Sequence, residues 1–85
     1  MKPELDKQLC DEFPIIYRDR DGDKRKTCMC WGFPGSGWFN LIYDLSKKLE
    51  SIAAAQPLSP EQEDNRLKAT QVKEKFGTLR FYTNV

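Results

Sequence analysis

Between Trp38 and Ile52 the apolar residues Trp38, Leu41, Ile42, Leu45, Leu49 and Ile52 recur at three- and four-residue spacing, with Asp44, Lys47, Lys48, Glu50 and Ser51 between them. Only a helix places the first set on one face and the second on the other. This amphipathic helix, over about 38–55, is the largest apolar surface in a chain of 85 residues, a length that builds one core and a single small domain over 1–85. Once buried, each large side chain of such a stripe contributes about 1.5–3 kcal/mol. Ser36 or Gly37 is expected to cap its start, and Gln56-Pro57 its end.

The remaining segments must cover that stripe. Pro3-Glu4-Leu5-Asp6 opens a first helix, with proline in the first turn and carboxylates at the positive end of the macrodipole. Leu5, Leu9 and Phe13 follow on one face, and Pro14 stops the helix near Phe13. Ile15-Ile16-Tyr17 is then a short extended or buried piece. Residues 27–33 fit a strand or a tightly packed irregular stretch, and residues 57–65 a linker in which Ser59-Pro60-Glu61-Gln62 matches a capping box. From Ala69 the pattern drops to period two, as Val72, Glu74, Leu79 and Phe81 alternate with Lys73, Lys75, Arg80 and Tyr82. That predicts a β-hairpin turning near Phe76-Gly77. The expected fold is α+β: an N-terminal helix and a long central amphipathic helix (about 38–55) packed on a C-terminal antiparallel β-hairpin (about 69–83).

Composition removes whole classes of function. The chain has no histidine, which excludes Ser-His-Asp and Cys-His catalysis, His-ligated zinc and imidazole pH switching. Fourteen basic and thirteen acidic residues leave +1, too balanced for a nucleic-acid coat. The longest run without a charge, residues 27–43, contains Gly, Pro, Ser and Asn, so no membrane span is expected. Three cysteines, Cys10, Cys28 and Cys30, cannot all pair, and Met1-Lys2-Pro3-Glu4-Leu5 has no apolar h-region, so no signal peptide is expected; both suit a reducing cytosol.

Three motifs fail on inspection. Asp19-Arg20-Asp21-Gly22-Asp23 resembles the start of a calcium loop, but Lys24, Lys26 and Cys30 stand where glycine, an apolar residue and glutamate are required. A solvated turn is the better reading. Gly32-x-x-x-x-Gly37 is followed by Trp38-Phe39 rather than lysine and Ser/Thr, so it is no P-loop. An anion site at Gly35-Ser36-Gly37, on the backbone N–H groups before the helix, is the weaker version that survives. It stands beside the simpler reading of an ordinary N-cap turn. The cysteines offer three thiolates without a fourth ligand and read as small core hydrophobes. No paired acid and base, nucleophile with base, or complete metal site is found. The expectation is therefore a non-enzymatic protein with no cofactor.

Trp31, Phe33, Trp38 and Phe39 bring four aromatic rings into nine residues, interleaved with glycines. A core this small does not easily absorb them all, and Lys73, Lys75 and Arg80 belong to a hairpin expected nearby. An exposed ring beside a cation suits stacking on a nucleotide or anchoring a protein interface. The candidate binding residues are therefore Trp31, Phe33, Ser36, Gly37, Trp38, Lys73, Lys75 and Arg80.

Cys28-Met29-Cys30-Trp31-Gly32-Phe33, Gly37-Trp38-Phe39-x-Leu41-Ile42 and above all Gln71-Val72-Lys73-Glu74-Lys75-Phe76-Gly77-Thr78-Leu79-Arg80-Phe81-Tyr82 resemble a family of small proteins of tailed bacteriophages and prophages. Where many members carry an acidic Gly-Asp-Gly-Trp turn, this chain has Gly35-Ser36-Gly37-Trp38. The resemblance implies a phage origin and action in the cytoplasm of a bacterial host. By analogy with small early phage proteins, the expectation is a host-takeover or counter-defence inhibitor that binds a nucleotide-like anionic ligand or a host protein. The alternatives are a nucleic-acid-binding accessory protein, which the net charge disfavours, and a virion or assembly component acting through protein contacts.

Overall fold

The computed structural model describes residues 1–20, 29 and 32–84. Helix α1 spans Pro3–Glu12 and helix α2 spans Phe39–Ala55; strands β1 (Ala69–Lys75) and β2 (Thr78–Thr83) form an antiparallel ribbon. The protein is α+β, with its N-terminal helix, long central helix and C-terminal hairpin in the expected order. Short 3-10 turns at Ser36–Trp38 and Pro60–Asn65 precede α2 and β1, the second carrying the expected capping box. Met29, Gly32 and Phe33 lie outside any strand, while the expectations for Cys28, Cys30 and Trp31, and for the part of the solvated turn from Asp21 on, fall outside the described residues.

The entry into α2 corrects the sequence expectation. Neither Ser36 nor Gly37 caps the helix; Trp38 holds the N-cap position without a side-chain hydrogen bond. The Ser36 hydroxyl instead accepts the Lys2 N–H at 3.0 Å, tying the start of α1 to this turn. The 3-10 turn, closed by Trp38 N–H on the Gly35 carbonyl at 3.1 Å, winds the chain into the helix in place of a cap.

The buried face of α2 is also displaced. Ile42, Ser46 and Ala53 are buried, with Phe39, Tyr43 and Leu49 packed beside them, whereas Leu41 and Ile52 are 52 % and 56 % exposed. At 100° per residue the observed face sits roughly 70° from the predicted stripe. Polar partners cause the rotation. Tyr17 donates its buried hydroxyl to Ser46, which donates in turn to the Ile42 carbonyl at 2.6 Å. Glu50 accepts the N–H groups of Ile15 and Ile16 at 3.0 and 2.8 Å.

The turn at 13–17 thus fastens α2 to the ribbon. Its Ile16 carbonyl accepts the Ala69 N–H at 2.9 Å. The Tyr17 ring lies edge-on to Phe33 at 4.9 Å and tilted against Phe81 at 6.5 Å, and Phe13 meets Tyr43 at 5.1 Å. Leu9, Phe13, Ile16, Met29, Ile42, Ala69 and Val72 form one core around these contacts. A register shift between Ala69 and Gln71 lets both Ala69 and Val72 face inward despite their three-residue spacing.

Burial raises the Tyr17 phenol well above its ordinary value, with the Ser46 hydrogen bond opposing in part. The folded state therefore holds the neutral phenol at pH values where the unfolded chain ionises it. Stability from this group is complete below about pH 10 and falls above it, by up to about 1.4 kcal/mol per pH unit. Urea midpoints measured from neutral to alkaline pH are expected to fall more steeply for the wild type than for Tyr17→Phe; parallel profiles would refute the assignment.

Candidate functional site

Residues 32–35 and Trp38 face residues 71–74 of β1 across a hollow of about 460 Å³. Gly32 makes the first wall possible. Its φ of +84° suits glycine, and a Cβ there would meet the Arg20 guanidinium at 3.1 Å. That guanidinium is held by Asp6 at 2.7 Å. Gly35 borders the hollow with nothing within 4 Å of a would-be Cβ.

The hollow brings Phe33, Trp38 and Lys73 together, three of the residues singled out in the sequence. Ser36 and Gly37 do not line it, and the Ser36 hydroxyl is occupied by Lys2. Trp31 is outside the described residues. Lys75 and Arg80 are not at the hollow. The pairing of Lys73 with Arg80 and Lys75 with Thr78 puts these residues on one face of the ribbon, opposite Val72, Leu79 and Phe81, which turn to the core. Lys73 serves both places, since its ammonium lies 5.7 Å from the centroid of the Tyr82 ring on that outer face. The single contiguous concavity expected of the aromatic segment and the cationic hairpin is therefore two surfaces sharing Lys73. Among the described residues the hollow is lined by one cation, Lys73, and one acidic residue, Glu74.

Strand β1 also presents an edge. A two-residue loop, Phe76-Gly77, joins the strands, and both residues have positive φ (53° and 77°), as a type I′ turn requires. That loop makes Lys75/Thr78 and Lys73/Arg80 the hydrogen-bonded pairs, so the N–H and C=O groups of Val72 and Glu74 point away from β2. Among the described residues no further strand joins this edge, and Val72 and Glu74 border the hollow. The Glu74 carboxylate accepts the Gly77 N–H at 2.7 Å and braces the turn.

Two exposed rings were not anticipated as site residues. Phe76 is 93 % exposed and Tyr82 43 % exposed. The signal for Phe76 was present in the sequence, because Phe-Gly stands where a type I′ turn ordinarily carries Asn-Gly or Asp-Gly.

Cys10 is half-buried, with its thiol 3.7 Å from the Asp6 carboxylate. Among the described residues no group of three or more Cys, Asp or Glu side chains is placed to hold a metal ion, and no helix is long and apolar enough to cross a membrane. No family profile, curated protein or solved structure matches the chain.

Proposed function

We propose that this protein is a non-catalytic binding protein of phage or prophage origin that disarms a host system in the bacterial cytoplasm by gripping a host protein. One observation carries the reading: the hollow lined by Phe33, Trp38 and Lys73 runs alongside the edge of β1 at Val72 and Glu74, which no further strand joins among the described residues. An extended segment of a partner adds to such an edge through main-chain hydrogen bonds and places alternate side chains in the adjoining pocket. A nucleotide-like anion is less well served, because among the described residues the hollow has a single cation, Lys73, and the Ser36 hydroxyl is already engaged by Lys2.

Gly35→Phe tests this without disturbing the fold, since the position has φ −59° and open space around it. The wild type is expected to retain a discrete host protein from lysate, and Gly35→Phe to lose it at unchanged Tm. Cyclic and linear nucleotides should give no heat in calorimetric titration. Capture that survives Gly35→Phe, or no capture at all, would overturn the proposal; a nucleotide isotherm abolished by Gly35→Phe would transfer the hollow to that ligand.

A further inference from the structure

We infer that the outer face of the β1–β2 ribbon, ending in Phe76, is a docking platform for single-stranded nucleic acid. This surface shares Lys73 with the hollow but does not depend on the function proposed for it.

Phe76 carries the first part of the inference. Its φ of +53° is a conformation that L-residues other than asparagine and aspartate adopt at a cost, and its ring gains no burial in return. A residue that is both strained and fully displayed contributes nothing to the fold that asparagine would not supply better.

Charge supplies the second part. Near-neutral overall charge conceals a local cluster. Among the described residues Lys7, Arg20, Arg66 and Lys68 are each paired with a carboxylate; of the cations without an ion pair there, Lys2, Arg18, Lys47 and Lys48 lie elsewhere, and Lys73, Lys75 and Arg80 share the ribbon's outer face. The nearest acid in sequence, Glu74, points to the other face and is held by Gly77.

The two features alternate. The Lys75 ammonium sits 5.7 Å from the Phe76 ring centroid and the Lys73 ammonium 5.7 Å from that of Tyr82. Ring beside cation is the complement of a strand whose repeating unit is base beside phosphate. The rings are about 14 Å apart along the ribbon at the usual rise per residue, with Lys73 and Arg80 between them. A face only two short strands wide is small against the roughly 800 Å² of accessible surface per partner that a stable protein interface buries. A strand of nucleic acid needs no such area, because each stacked base and each phosphate is recognised separately.

Fluorescence anisotropy with a short fluorescein-labelled oligothymidylate at low salt is the test. The wild type is expected to bind with a log–log salt slope of about −2, as three phosphate contacts on a single strand give. Phe76→Asn is expected to weaken binding about tenfold while raising Tm by roughly 5 °C, because the turn relaxes. That pairing separates a binding role from an unfolded variant. Tyr82→Ala should weaken binding similarly, and Lys73→Ala/Arg80→Ala should flatten the salt slope. Absence of binding at low salt, affinity unchanged in both ring variants, or equal competition by duplex DNA or poly-L-glutamate would overturn the inference, the last pointing to an acidic protein surface instead.

Discussion

Glu50→Ala is expected to destabilise the fold by about 3 kcal/mol, a fall in Tm on the order of 15 °C for a chain of this size. The carboxylate accepts two adjacent backbone N–H groups, those of Ile15 at 3.0 Å and Ile16 at 2.8 Å, in a partly buried setting. Removing it leaves two donors without partners, each worth about 1–3 kcal/mol when shielded from water. Its position magnifies the effect. The turn at 13–17 bonds to α2 through Glu50 and Tyr17 and to β1 through the Ile16 carbonyl, so a loosened turn releases helix and ribbon together. Glu50→Gln keeps one acceptor oxygen and should recover about half of the loss. Urea unfolding gives the measurement: a lowered midpoint at unchanged slope is expected, and a Glu50→Ala midpoint within about 0.5 kcal/mol of wild type would show that the carboxylate is not the fastener.

The same residue explains what the sequence could and could not reveal. Helix α2 was legible because a long apolar stripe at helical spacing has no competing structure. Its orientation was not. Ser46 and Glu50 count as polar in any periodicity, yet one faces a buried tyrosine hydroxyl and the other a pair of backbone amides. These partners lie 29 to 35 residues away in sequence. Leu41 and Ile52 turn outward as a consequence. The hairpin was legible down to its turn, since Phe76-Gly77 divides two alternating segments of matched length. The slip between Ala69 and Gln71 was not, because a bulge leaves no mark on alternation until the partner strand is known. For the site, composition brought the aromatic segment and the lysines to notice. Which of them meet depended on position in the ribbon: the hollow runs along β1 at residues 71–74, which takes in Lys73 but neither Lys75, next to the turn, nor Arg80, on β2.

Arg66→Met is expected to lower the urea midpoint clearly, with little of that loss from the salt bridge that first draws attention. The guanidinium meets the exposed Glu63 carboxylate at 2.6 and 2.9 Å, a surface pair of small net value. It also donates to the carbonyls of Ala53 and Gln56 at the end of α2, each of which accepts only one backbone N–H, from Gln56 and Leu58 respectively. No other side chain on this turn performs that C-terminal function, since α2 has no basic residue in its last turn. Glu63→Gln should therefore leave the urea midpoint nearly unchanged, whereas Arg66→Lys, with a single compact ammonium, should recover only part of the Arg66→Met loss. Proton linkage separates the two contributions further. Arg66 holds the Glu63 carboxyl below its ordinary value, so what that pair adds is present above about pH 4.5 and disappears as the pH falls through the folded-state value. The Arg66→Met deficit should persist below that point if the helix end is the cause. Leu67 N–H is held by the Gln56 side chain at 2.7 Å, and the Leu67 and Arg66 carbonyls by Arg18. Loss of Arg66 should accordingly speed hydrogen exchange first at the start of β1, in the strand that carries both proposed binding surfaces; exchange accelerated only within 60–65 would confine the residue to its local ion pair.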